Sequence, residues 1–492
     1  MPSIQRPNLL VLLSDQHNPR YLGCAGHPVV RTPNLDRLAR EGMRFPHAYC
    51  PAPLCGPSRM SFVASRYPTS TGAWSNGHIL SSGIPSWAHA LGAAGYETAL
   101  IGRMDFRGSD QRHGFELRPL GEYNARHPGA PLPGGPIDKR YPSEVDAAAR
   151  EGGDHVGIGR THRHLFDERV AEAACAFLKE RAGGGARPFA AVVGFVQPHP
   201  PLYAPRELFE YYRARVEPFE IPPEELAAQP PSIAAHRRRR GFDPPLRPER
   251  LRLALAAYCA LVEFVDALIG RVLEALDRAG LAENTLVLYT SDHGDMTGAH
   301  GMWAKSCYYE QSAGVPFLAR LPGAIPAGRA CPAFANLVDV GPTLIEFGGA
   351  EALPSADGRS LAPWLRGETP PGWLDETFSM FVDKKSGSPS AMVRRGKWKL
   401  WKYDDGTPAS LFDLEADPGE IRDVAARPEH AGIRDELLRR LMARWDPARA
   451  AREHAEQNRN IEVLKAWGEA VKPEHPDTLP APPPEVEELE LL

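Results

Sequence analysis

The sequence predicts an α/β fold: a large, mostly parallel, doubly wound sheet with helices on both faces, plus a small C-terminal α+β subdomain with an antiparallel sheet. Three observations predict it. Continuous apolar runs at residues 9–13, 188–195 and 285–289 read as strands buried on both faces. Stretches with helical spacing separate these runs. Beyond about residue 370 the pattern changes to shorter strand-like runs at 391–403 and 410–414, ahead of a helix near 430–443.

Taken in order, the run 9–13 ends in Ser14-Asp15-Gln16, which puts polar groups at the carboxyl end of a strand, where open α/β sheets place their sites. In 32–42, Thr32 fits an N-cap, Pro33 the first turn and Gly42 the C′ position of a helix. Another helix starts near Pro85 and ends at Gly95, followed by a strand at 97–101. Residues 164–181 have helical spacing and stop at Gly183-Gly184-Gly185. The Pro-, Arg- and Glu-rich stretch 202–247 reads as a long surface excursion, and its run His236-Arg237-Arg238-Arg239-Arg240 as a solvated loop. Residues 248–279 form the longest helix, with an apolar stripe from Leu251 to Leu276 stopped by Gly280. The strand 285–289 leads into Thr290-Ser291-Asp292-His293-Gly294-Asp295. From Val471 a Pro- and Glu-rich tail reads as disordered unless a partner subunit holds it. The divisions are thus 1–370, 371–470 and 471–492.

Composition limits the function classes. With 492 residues, 42% hydrophobic and 24% charged, the chain has the make-up of a globular protein with one large domain and an appendage. A net charge of −5 implies no nucleic-acid partner. Seven scattered cysteines without a Cys-x-x-Cys pair argue against a disulfide framework and a structural zinc site. No stretch reads as a membrane span, and the expected location is the cytoplasm.

Adjacent strand ends of one sheet would gather Asp15, Gln16, Asp292 and His293 into an oxygen-rich site with one imidazole, suited to a divalent cation. Pure oxygen ligation favours Ca²⁺ or Mg²⁺, and the imidazole shifts the choice toward Mn²⁺ or another borderline metal. Between these pairs stands Leu54-Cys55-Gly56-Pro57-Ser58-Arg59, running into Met60-Ser61-Phe62-Val63-Ala64-Ser65-Arg66.

That segment resembles the sulfatase signature, Cys-x-Pro-Ser-Arg followed by a short apolar helix and a second arginine; Ala64-Ser65 stand where sulfatases usually carry Thr-Gly. The resemblance implies that a formylglycine-generating enzyme, a transient partner, oxidises Cys55 to formylglycine. The hydrated aldehyde would then attack a sulfate ester of a small organic molecule, with Asp15, Gln16, Asp292, His293 and the formylglycine oxygen around the metal. Gly95-Tyr96-Glu97-Thr98 through Gly102-Arg103-Met104-Asp105 is similar to the family's Gly-Tyr-x-Thr…Gly-Lys-x-His, with Arg103 for the lysine and Asp105 for the histidine. Gln197-Pro198-His199-Pro200-Pro201 resembles Pro-His-x-Pro, which implies His199 as proton donor to the leaving group. Gly298-Ala299-His300-Gly301-Met302-Trp303-Ala304-Lys305 matches Gly-x-His-Gly-x-Trp-x-Lys. By this likeness Arg59, Arg103 and Lys305 hold the sulfuryl oxygens, and Asp105, Asn76 and His300 are further substrate contacts.

Within the family the layout is similar to choline-sulfatase-like enzymes, at Ser75-Asn76-Gly77 and at Arg444-Trp445-Asp446-Pro447 with its following helix, whose counterpart helps build a homo-oligomer. Met104-Asp105 and Phe378-Ser379-Met380-Phe381 depart from that subgroup, and Trp74 and Tyr123 are the aromatic residues offered to a cation. Two other readings stand beside this one: hydrolysis of a phosphonate monoester or phosphodiester by the same machinery, and a non-catalytic anion-binding protein on this scaffold.

Overall fold

The computed structural model of the chain describes residues 6–122, 156–183, 187–473 and 490–492. Its main sheet has eight strands, in the spatial order Arg329–Ala330, Met43–Arg44, Phe317–Arg320, Thr285–Ser291, Asn8–Asp15, Phe189–Pro198, Glu97–Gly102 and Leu117–Leu120. Asn8–Asp15 lies at the centre, parallel to Thr285–Ser291 on one side and to Phe189–Pro198 on the other. Only Phe317–Arg320 runs against its neighbours. Alternate side chains of the central strand enter different cores, as a sheet covered on both faces requires. Leu9, Val11 and Leu13 pack with Trp87, Leu91 and Leu344, while Leu10 and Leu12 pack with Val170, Val265 and Ile269.

The register brings the carboxyl ends of distant segments together. Ser14 lies opposite Ser291, so Asp15 and Asp292 emerge side by side at one edge of the sheet. Glycine is required where the neighbouring strands end. A Cβ on Gly102, whose φ is 85°, would sit 2.4 Å from Gly194 O, and one on Gly194 would sit 1.9 Å from Arg103 O. This close approach carries Arg103 across the end of the sheet.

A second, four-stranded antiparallel sheet (Glu376–Val382, Pro389–Arg395, Trp398–Tyr403, Ser410–Asp413) packs under the helix Ala431–Arg444. It is joined to the main body by a buried ionic cluster. Lys399 Nζ lies 2.5 Å from Glu420 and 2.7 Å from Glu310, and Glu310 also receives Arg394 at 2.9 Å and the Tyr49 hydroxyl. Lys399 and Glu420 have no side-chain exposure. Lys399→Met is therefore expected to cost about 3–5 kcal/mol, because it leaves the buried Glu420 carboxylate without its cation while Glu310 keeps Arg394; urea unfolding measures it, and an unchanged midpoint would refute the assignment.

Several elements differ from expectation. The helix Pro33–Glu41 forms, but the Thr32 hydroxyl does not cap it: it accepts from Gly23 N and donates to Asp36. Gly42 is extended (φ −141°) and not a left-handed C′ residue; a side chain there would strike Ala319 O. The excursion 202–247 contains the strand Leu202–Ala204 and the helices Arg206–Arg213, Pro223–Ala228 and Pro231–Arg240. The basic run lies in the last of these, with His236 and Arg237 buried, and is not a solvated loop. The helix Pro248–Arg278 is long and apolar enough to cross a membrane, contrary to the reading of the sequence, but 78% of its most apolar window is buried inside the protein. The tail is held by its own chain at its end, where Glu490–Leu491 pairs antiparallel with Val156–Ile158.

Candidate active site

Cys55 opens the helix Cys55–Ala64, all ten residues of which are buried. The ligand atoms of Cys55, Asp15, Asp292 and His293 lie within 4.8 Å of one another. Cys55 Sγ is 3.2 Å from His293 Nε2 and 3.6 Å from Asp15 Oδ1. Two carboxylates, an imidazole and a fourth donor in a dry space fit a divalent cation. The cluster is tied together by arginines. Arg59, one helical turn after Cys55, donates to Asp292 at 2.7 Å, to Asp15 at 3.3 Å and to the Arg103 carbonyl at 2.9 Å. Arg103 Nε reaches Asp15 at 2.5 Å. Burial alone would raise the Asp15 pKa, but Arg103 and then Arg59 hold it well below the usual carboxylate range.

Opposite this cluster stand His199 and Lys305, with Lys305 Nζ 2.8 Å from His199 Nε2. His199 Nδ1 lies 2.6 Å from the Pro200 carbonyl. An ammonium only donates, so Nε2 presents its lone pair to Lys305, while Nδ1 stands between the Pro200 carbonyl and Arg163 Nη1, the latter at 2.9 Å. Burial first, then Lys305, keeps His199 well below its ordinary pKa. The ring is thus neutral, and it would act as the expected proton donor only after taking up a proton at Nε2. Lys305 sits between Ala304 (φ 60°) and Ser306 (φ 76°), two left-handed residues that turn it into the site.

Asn76 Oδ1 accepts the Gly56 N–H at 3.0 Å, next to the nucleophile position. Asp105 is buried, with Oδ1 2.9 Å from Arg107 and 3.8 Å from Arg103. Burial acts to raise its pKa, but Arg107 and Arg103 outweigh it and leave the carboxylate ionised. Gln16, expected among the metal ligands, lies between two protein groups: Oε1 accepts from Lys305 and Nε2 donates to Asp295, both at 2.5 Å. His300 does not join the cluster. Its ring stacks on Tyr309 at 3.8 Å and pairs with Glu225 at 3.1 Å. Tyr123 lies outside the described residues, and Trp74 is buried against the C-terminal helix.

Four residues of this site were not found by reading the sequence. The Glu122 carboxylate accepts the backbone N–H groups of Met104 and Asp105 at 2.9 and 2.6 Å. Asp167 accepts those of Val196 and Gln197, both at 2.8 Å, just ahead of His199. Arg163 donates to Pro200 O beside the His199 ring. Arg107 braces Asp105. Each acts on backbone or on another side chain from outside any recognisable motif.

The sulfatase family model matches residues 7–350, and that for the N-sulphoglucosamine sulphohydrolase C-terminal region matches 298–446. The chain belongs to the sulfatase family. Among its relatives, a choline-sulfatase of Rhizobium meliloti is 34% identical over 441 residues, covering 86% of this chain and 83% of that one. Arylsulfatase K of Gallus gallus is 28% identical, covering 89% and 82%. In structure the chain is similar to the phosphonate monoester hydrolase of Agrobacterium radiobacter, with a TM-score of 0.72, 25% identity and coverage of 89% and 95%. Like the sulfatases it resembles, the chain is a hydrolase of sulfuric esters.

Proposed function

We propose that this sulfatase cleaves the sulfate ester of a small organic molecule, using formylglycine made from Cys55 and one divalent cation, Ca²⁺ or Mn²⁺, held by Asp15, Gln16, Asp292 and His293 with the formylglycine oxygen. The observation that carries this reading is the convergence of Cys55 with two carboxylates and one imidazole within 4.8 Å. As a thiol, Cys55 is a poor reagent, because burial and then Asp15 push its pKa up. Formylglycine, once hydrated, supplies a geminal diol, with one hydroxyl to attack sulfur and the other to release sulfate. A divalent cation supplies charge that favours an ionised oxygen at that position.

The chain's own residues do the rest. Arg59 and Arg103, fixed by Asp15 and Asp292, balance the buried carboxylates. Arg103 and Lys305 supply positive charge to the sulfuryl oxygens. His199 Nε2 is the atom that takes up and delivers a proton, with Lys305 Nζ at 2.8 Å as its exchange partner. A formylglycine-generating enzyme is the transient partner. Seven free cysteines support a cytoplasmic location. Exposed Val463, Trp467 and Val471 on one side of the helix Pro447–Val471 support a homo-oligomer.

The mass of the tryptic peptide 45–59, from protein made in its native host, tests the nucleophile. A peptide lighter by the difference between CH₂SH and CHO supports the reading. An unmodified thiol in the presence of the modifying enzyme favours the anion-binding protein. The second catalytic reading, phosphonate monoester or phosphodiester hydrolysis, is supported by the likeness to the Agrobacterium radiobacter enzyme. Measured side by side, kcat/KM on an aryl sulfate is expected to exceed that on an aryl phosphonate monoester; the reverse order would replace the first reading with the second.

A further inference from the structure

The loop before and after Asn76 is held from outside the catalytic domain. The helix Pro447–Val471 runs alongside it and makes contacts at successive turns. Arg449 donates to Thr69 O at 3.3 Å, Glu453 accepts from Trp74 Nε1 at 2.8 Å, and Gln457 both donates to Gly72 O (2.6 Å) and accepts from Ile79 N (3.3 Å). Between them His454 stacks on His78, with centroids 5.0 Å apart and planes at 25°, and its Nδ1 lies 3.1 Å from His78 Nε2. Both histidines are buried. The loop's product is Asn76, whose side chain fixes the Gly56 amide beside Cys55.

We propose that His454 and Gln457 are positioning residues for the active site, holding the loop that presents Asn76 through a histidine pair that docks only when neutral. The inference rests on the sulfatase reading of Cys55. Trp74 N–H donates to His78 Nδ1 at 3.1 Å, so His78 carries its hydrogen on Nε2, aimed at His454 Nδ1. His454 then accepts at Nδ1 and carries its own hydrogen on Nε2, 2.9 Å from the Asn458 carboxamide, whose oxygen accepts it once that amide is turned by 180° about its terminal bond. A further proton on His454 would set N–H against N–H and open the pair.

Other charges facing the pair do not reverse this. Asp383 favours and Lys384 disfavours a charge on His454, and Asp383 is itself bound by Arg240. Glu453 is taken up by Trp74 and Arg449. Burial lowers both pKa values, that of His78 to about 4 with His454 as the next cause. A histidine whose folded pKa is depressed contributes stability above the unfolded value of 6.5, lost as pH falls towards about 4.

The test is hydrogen–deuterium exchange of residues 69–79 in the full chain, corrected for intrinsic rate, at about pH 7.5 and about pH 5. The wild type is expected to lose protection at the lower pH. His454→Phe, which keeps the stack and removes the acceptor, is expected to be unprotected at both, with kcat/KM about tenfold lower; His454→Gln, which returns an acceptor, is expected to recover part of each. Equal exchange in wild type and His454→Phe at both pH values would overturn the proposal. Should His454→Phe not melt cooperatively, Gln457→Leu replaces it, and unchanged exchange there overturns the proposal equally. Exchange needs no substrate, so a failure of the sulfatase reading would leave this result to stand or fall by itself.

Discussion

Cys55→Ala is expected to lower kcat by at least about 10⁴-fold, because it removes the atom on which the nucleophile is built and nothing nearby replaces it. The neighbouring groups are a pair of carboxylates locked to Arg59 and Arg103, and an imidazole inside the same cluster. Folding is expected to survive. The Cys55 side chain is buried at a helix start, and loss of one sulfur there costs on the order of 1 kcal/mol. The measurement is turnover of an aryl sulfate beside a thermal melt of the same preparation. Turnover near the wild-type level with an intact melt would remove Cys55 from the mechanism, whatever its modification state.

Lys305→Met is expected to be the next most damaging change, with kcat lower by about 10²–10³-fold, the usual cost of one preorganised charge donor. It also changes the pH profile in a stated direction. Lys305 is the largest cause after burial of the low His199 pKa. Without it the His199 pKa is expected to rise, so the limb of the pH–rate profile belonging to that ring moves to higher pH. A profile that loses height without moving would mean that Lys305 acts on the substrate alone and exchanges no proton with His199. Gln16 loses its 2.5 Å partner in the same variant, but Asp295 still holds its amide.

How much of this was legible in the sequence follows from where the information sits. The strand ends were legible because 9–13 and 285–289 are apolar runs cut off abruptly by Asp15-Gln16 and Asp292-His293, and parallel pairing aligns them. Cys55 and Arg59 were legible because residues 54–59 resemble the sulfatase signature, and the helix Cys55–Ala64 sets them one turn apart. Glu122 and Asp167 were not, since a carboxylate that holds two backbone amides across the fold leaves no periodicity or spacing behind, and neither does Arg163, which donates to the Pro200 carbonyl. The Thr32 cap failed because the hydroxyl found Gly23 and Asp36 in competition with the helix amides. His300 shares a motif with Lys305, yet its left-handed backbone (φ 55°) directs the ring to Tyr309 and Glu225. The basic run 236–240 became helix because Pro230-Pro231 starts one and Gly241, with φ 76°, ends it.

The complete burial of Cys55–Ala64 also sets an order in time. No enzyme can thread its own active site around a cysteine that is 2% exposed and enclosed by strands from both halves of the chain. Whatever chemistry the thiol undergoes at the hands of another protein must therefore come while the polypeptide is still being made or is still open. On the formylglycine reading proposed above, catalytic competence is decided during biosynthesis: a molecule that closes with its thiol intact is a well-packed protein whose Cys55 a modifying enzyme would not reach without unfolding.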